Sequence, residues 1–124
     1  MEQTLEQLVT DLKRILTFKD DTEEGDLVLV AAQKPHILAY ARVGPIERDE
    51  TKRAEWWHVT LHFLGMPIQT VVWTLREPQF TGQEIFTMGG NPHFIKALDF
   101  RALTLAEAEP APEPPKRPRF TRVK

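Results

Sequence analysis

Two of this chain's four histidines, His58 and His62, stand four residues apart, the spacing that on a helix would set both imidazoles toward one metal ion. The residues around them argue for a strand instead. Trp57, Val59, Leu61 and Phe63 alternate with Trp56, His58, Thr60 and His62, a period of two that separates an apolar face from one carrying aromatic, imidazole and hydroxyl groups. On a strand, residues four apart are about 13 Å from each other at ~3.3 Å per residue, too far to share an ion. His36 and His93 lie in or beside proline-containing turns, and nothing in their spacing requires either to join the pair. The expectation is therefore no metal site and no cofactor.

Acid–base or anion-binding chemistry is the other use for such a face. Gly65-Met66-Pro67 reads as a turn, and Val71, Trp73 and Leu75 in the following run make an apolar face with Thr70, Val72, Thr74 and Arg76 opposite. If partners are residues whose numbers sum to 134, Leu61 meets Trp73, Thr60 meets Thr74 and His58 meets Arg76. His58, Thr60, Thr74 and Arg76 would then form a polar cluster able to orient an anion or, with a carboxylate nearby, to move a proton. The wet face of an antiparallel sheet explains the same residues and is preferred. Trp56 is thrown onto that face by the alternation, where an aromatic beside imidazole and guanidinium groups suits a protein interface, a peptide or a stacked base.

The chain has no cysteine and no serine. That removes disulfides, thiolate metal sites and the Ser-His-Asp and Cys-His hydrolases together, and no catalytic residue is expected. Lys19 to Asp26 is acidic but lacks EF-hand spacing, so a solvated turn is expected rather than a calcium loop. Gly89-Gly90-Asn91-Pro92-His93 has the glycines of an anion nest, yet a hairpin turn accounts for all of it.

The elements that must position these residues can be read in order. Leu5, Leu8, Val9, Leu12, Ile15 and Leu16 follow helical spacing, with Thr4 and Gln7 in capping-box positions, so a helix is expected over residues 4–17. Its apolar stripe is expected to pack on the chain's own sheet. Strands are expected over about 26–32, 37–46, 55–64, 69–77, 84–88 and 93–98, with a bulge or bend at Gly44-Pro45 and residues 47–53 as a solvated hairpin tip. The 26–32 run is continuously apolar, as in a strand covered on both sides. The fold class expected is α+β, mainly β: an N-terminal amphipathic helix on a small antiparallel barrel or strongly bent sheet of about six strands. Gly25 to Val30 resembles the opening of SH3-like and Tudor-like barrels.

Residues 1–103 are expected to be one globular domain and 104–124 a disordered tail, since from Pro110 onward the chain holds five of its ten prolines and little that could be buried. Residues 1–115 carry 11 Lys and Arg against all 18 Asp and Glu, a charge of −7, whereas Lys116, Arg117, Arg119, Arg122 and Lys124 give the end of the chain +5. No signal peptide or membrane span is apparent, so a cytoplasmic protein without membrane contact is expected.

Three functions fit. The leading one is a non-enzymatic interaction module that binds a protein or peptide through Trp56, His58, Thr60, His62, Thr74 and Arg76, or through the helix stripe, as a monomer or weak dimer. A nucleic-acid accessory protein would use the basic tail for phosphates and Trp56 for stacking, against repulsion from the acidic body. A small-ligand binder or enzyme would place its pocket at the barrel mouth, near His36 and His93.

Overall fold

The computed structural model describes residues 3–102, so the expected tail and its five basic residues lie outside the described residues. One helix, α1 (Leu5–Ile15), precedes four strands in a meander, β1 (Leu27–Ala32), β2 (Ile37–Arg48), β3 (Trp57–Phe63) and β4 (Gln69–Leu75). A four-residue helix, α2 (Glu77–Phe80), then leads into the hairpin of β5 (Phe86–Met88) and β6 (Asn91–Ala97). All six strands are antiparallel neighbours in the order β4-β3-β2-β1-β6-β5. Among the described residues the sheet curls into a half-barrel, with β4 and β5 as its two edges.

The capping box forms as its residue types require, with the Gln7 amide donating to Thr4 Oγ1 at 3.2 Å and the Thr4 amide to Gln7 Oε1 at 3.1 Å. Most of the stripe of α1 packs on the fold: Leu5, Val9 and Leu12 are buried, and Leu5 and Val9 share a cluster with Ala31 of β1 and Phe94 of β6, while Ile15 at the end of the helix stays exposed. On the other, inner face of the sheet lies the main core: Val28, Val30, Ala41, Val43, Val59, Leu61, Leu75, Phe80, Phe86, Ile95 and Ala97. β1 is thus buried from both sides, which is why its sequence runs apolar without alternating. Trp57, Phe63, Val71 and Trp73 pack against this core half-buried, so they point inward as the alternation required.

The β3–β4 register differs from expectation. Partners sum to 132, not 134: Leu61 pairs with Val71, Val59 with Trp73, Thr60 with Val72, His58 with Thr74 and His62 with Thr70. A shift of two residues leaves every side chain on its own face, so the hydrophobic pattern fits either register equally. Loop length decides between them, and here the strands stop at Phe63 and Gln69, leaving residues 64–68 as the connection. Arg76 consequently falls beyond the pairing and starts α2, its amide donating to Gln79 Oε1 at 2.9 Å.

Other boundaries move for local reasons. β2 runs on to Arg48 because the pairing resumes at Ile46–Val59 after the irregularity between Val43 and Ile46, the expected bulge at Gly44-Pro45. β6 begins at Asn91 because Gly89 and Gly90, at φ 59° and 79°, make the β5–β6 turn by themselves. Among the described residues, no helix is long and apolar enough to cross a membrane.

Candidate functional site

Because α1 covers β1 and β6, the outer face of β3 and β4 has no covering element among the described residues. Along it run three cross-strand pairs, His58–Thr74, Thr60–Val72 and His62–Thr70. His58 Nδ1 is 3.0 Å from Thr74 Oγ1 and His62 Nδ1 is 2.8 Å from Thr70 Oγ1, so each imidazole is held by a threonine hydroxyl of the neighbouring strand. Thr70, Val72 and Thr74 are exposed, and His58 keeps 40% of its side-chain surface open to solvent.

The bulge makes room for this ladder. A Cβ on Gly44 would stand 2.9 Å from His62 Nε2 and 3.1 Å from Thr60 Cγ2, so a glycine there lets the imidazole and threonine lie over the β2 backbone. Beside it, Glu24, Arg42, Pro45 and His62 line a shallow cleft of about 420 Å³. Glu24 is fixed by the Ile46 amide, which donates to its Oε2 at 2.7 Å.

At the other end of the face, the connection between β2 and β3 carries Asp49, a buried residue. Its Oδ1 accepts from the Thr51 amide at 2.9 Å and the Thr51 hydroxyl at 2.6 Å, while the Asp49 amide donates to the Trp56 carbonyl at 2.8 Å. The second carboxylate oxygen lies 3.4 Å from His58 Nε2, an ion pair when the imidazole is protonated. Asp49, His58 and Thr74 therefore form a line of carboxylate, imidazole and hydroxyl. Trp56, half-buried, lies under Arg76, with the guanidinium carbon 6.0 Å from the ring centre. A shallow cleft of about 500 Å³ opens between Asp49, Lys52, Trp56 and Thr74.

The structure thus gathers Trp56, His58, Thr74 and Arg76 at one end, with His62 and Thr60 further along the same face. It replaces the expected His58–Arg76 and Thr60–Thr74 pairs by His58–Thr74 and Thr60–Val72, and it adds Asp49 and Lys52 from a segment read as a solvated tip. The Asp49-x-Thr51 spacing, which favours a side-chain-capped turn, was the available signal. His36 and His93 have other surroundings. His36 Nε2 is 3.0 Å from the Gln3 carbonyl, and His93 is wedged edge-on to Trp73 at 5.5 Å and stacked on Phe86 at 5.9 Å. In the acidic loop, Lys19 pairs with Asp26 at 2.7 Å and the Glu23 amide donates to the same carboxylate, a closed turn; among the described residues, no three His, Cys, Asp or Glu side chains form a metal-binding group.

The hydrogen bonds from the Thr51 side chain and amide hold the Asp49 carboxyl below its ordinary pKa; His58 and Lys52 act in the same direction, and burial opposes them. A carboxyl whose pKa is lowered by folding contributes stability above the unfolded value and loses it as the pH falls through the folded value. Asp49→Asn, which can still accept from Thr51, should therefore melt below the wild type at neutral pH, and the gap should close as the pH falls through the lowered value of the Asp49 carboxyl. Thermal melts across that range check this; a gap that persists at low pH would remove the charge as its cause.

No protein-family model, no curated protein and no solved structure matches this chain.

Proposed function

We propose that the protein is a non-enzymatic interaction module that binds an extended segment of a protein partner across the outer face of β3 and β4, anchored at Trp56. The observation that carries this reading is the face itself, uncovered among the described residues: a Trp–Arg contact beside a cleft, continuing into a ladder of side chains that both donate and accept hydrogen bonds. Partly buried aromatic and arginine side chains are the residue types on which binding energy concentrates. Of the helix stripe, the other surface considered, Leu5, Val9 and Leu12 are buried and only Ile15 is exposed, too little for a second docking surface. The Asp49–His58–Thr74 line orients hydrogen-bonding groups toward a bound segment, and the clefts at either end carry both signs of charge, Asp49 with Lys52 and Glu24 with Arg42. A partner segment of mixed charge suits them better than a uniformly charged polymer.

The resemblance of Gly25 to Val30 to SH3-like and Tudor-like barrels belongs to the same proposal, supported by the four-strand meander and the curvature of the sheet. A nucleic-acid reading draws on Lys52 and Arg76 beside Trp56 and on the basic residues 116–124, and is opposed by Asp49 and by the −7 carried by residues 1–115.

Selection of a random peptide library on the full chain tests the proposal. Peptides should be enriched whose affinity falls at least about tenfold with Trp56→Ala and is unaffected by Thr87→Lys on β5. Enrichment insensitive to Trp56 would move the site elsewhere. Binding of single-stranded oligonucleotides that falls steeply with salt, in place of peptide binding, would establish the nucleic-acid reading instead.

A further inference from the structure

Among the described residues β4 ends the sheet, and one side of its backbone pairs with none of them. The Leu64 amide donates to the Tyr40 carbonyl at 3.1 Å and the Asp49 amide to the Trp56 carbonyl at 2.8 Å, so the even-numbered residues at both ends of β3 face β2. Trp57, Val59, Leu61 and Phe63 therefore face β4 and use the backbone groups of their partners Leu75, Trp73, Val71 and Gln69. The N–H and C=O groups of Thr70, Val72 and Thr74 point away from the sheet.

Sheet edges are ordinarily protected by being short, by charged side chains or by proline. The opposite edge, β5, has three residues. β4 has seven, Gln69-Thr70-Val71-Val72-Trp73-Thr74-Leu75, with no charge, no proline and no glycine, and Val72 is 57% exposed. The strand is also nearly symmetric about Val72, with Thr70 balanced by Thr74 and Val71 by Trp73.

We propose that β4 pairs antiparallel with β4 of a second copy about a two-fold axis at Val72, joining two half-barrels into one continuous sheet. Going beyond the peptide-binding reading, this uses the edge of the sheet and leaves its outer face open. In this register Val72 meets its own copy, Thr70 meets Thr74 of the second copy on the outer face, and Val71 meets Trp73 of the second copy on the inner face. Thr–Thr and aromatic–β-branched pairs are the favourable cross-strand combinations, and no two like charges are brought together. Ile68, 60% exposed, falls opposite Arg76 of the second copy, beside its Trp56. The contact is isologous, so it closes at two copies. The self-symmetry of the uncharged strand is what selects a second copy over an unrelated strand.

Sedimentation equilibrium of the full chain tests this, with two double variants that remove the same threonine–histidine contacts. The wild type should pass from monomer to dimer over a concentration series reaching about 1 mM, the weak end of specific association. Thr70→Lys/Thr74→Lys places lysines opposite one another twice and should weaken the dimer at least about tenfold, whereas Thr70→Lys/Thr74→Glu places opposite charges together twice and should keep it. In a chain without cysteine, Val72→Cys should give a disulfide-linked dimer under mild oxidation, since paired Cα atoms about 5.5 Å apart suit a disulfide. A wild type that stays monomeric throughout, identical behaviour of the two lysine variants, or a dimer that Val72→Cys does not cross-link would each overturn the proposal.

Discussion

Phe94→Ala should lower the stability of the protein by about 3–5 kcal/mol, the loss expected for a buried phenylalanine truncated in a filled site. Phe94 is 1% exposed and is the largest fully buried side chain among the described residues. It stands between α1 and the sheet, in contact with the cluster of Leu5, Val9 and Ala31, with Phe18 edge-on at 6.3 Å and the Lys13 ammonium 5.9 Å from its ring centre. An isolated helix of eleven residues is marginal in water, so α1 persists because its apolar side is docked. Removing the ring takes away much of what the helix docks onto. Urea denaturation should show the loss, and far-ultraviolet circular dichroism of the variant should show reduced helix before the main transition. A loss near that of an exposed substitution would mean that α1 does not depend on Phe94.

Trp73→Ala should cost about 3 kcal/mol or more, and Trp56→Ala only about 1, although both are half-buried tryptophans of the same hairpin. Trp73 points inward, 6.0 Å from the Phe63 ring and 5.5 Å from His93 of β6. Between β4 and the β5–β6 hairpin there is no ladder of backbone hydrogen bonds, so this contact of Trp73 with His93 helps hold the mouth of the half-barrel together. Trp56 instead lies on the outer face under one guanidinium group, where truncation leaves space that water can fill. Comparable losses in parallel urea melts would reverse the inner and outer assignment of the hairpin.

That assignment was legible because it rests on a local period. Side chains alternate along β3 whatever the rest of the chain does, and Trp57, Val59, Leu61 and Phe63 needed no tertiary information to be placed inward. The register was not, since sums of 134 and 132 preserve the same faces and only the length of the 64–68 connection separates them. The polar cluster follows the register: a sum of 134 sets His58 against Arg76 and Thr60 against Thr74, whereas 132 gives His58 the threonine that holds it, Thr74. The Gly44-Pro45 bulge was readable from two residues that disrupt a ladder, whereas its purpose, room for His62 and Thr60, required the fold. Asp49 stood in a run of mixed charges and gave only the Asx-turn spacing as a sign that it folds back onto the strands. Glu77-Pro78 carried the proline that favours a first helical turn, but four residues are too few for a periodicity to appear. Whether the sheet would close depends on how far β4 comes to rest from β5, which no local pattern encodes.

The central claim is that the outer face of β3 and β4 is the recognition surface, and the most direct test is a chemical-shift map of the isotope-labelled full chain titrated with an enriched peptide. The largest changes should fall on the Trp56 indole and on His58, Thr74 and Arg76, continue to Thr60 and His62, and leave α1 and the Glu84–Ile85 region unshifted. Changes centred instead on the groove of Glu6, Val9, Lys13 and Ile85 between α1 and the β5 side, with the Trp56 indole unmoved, would contradict the account.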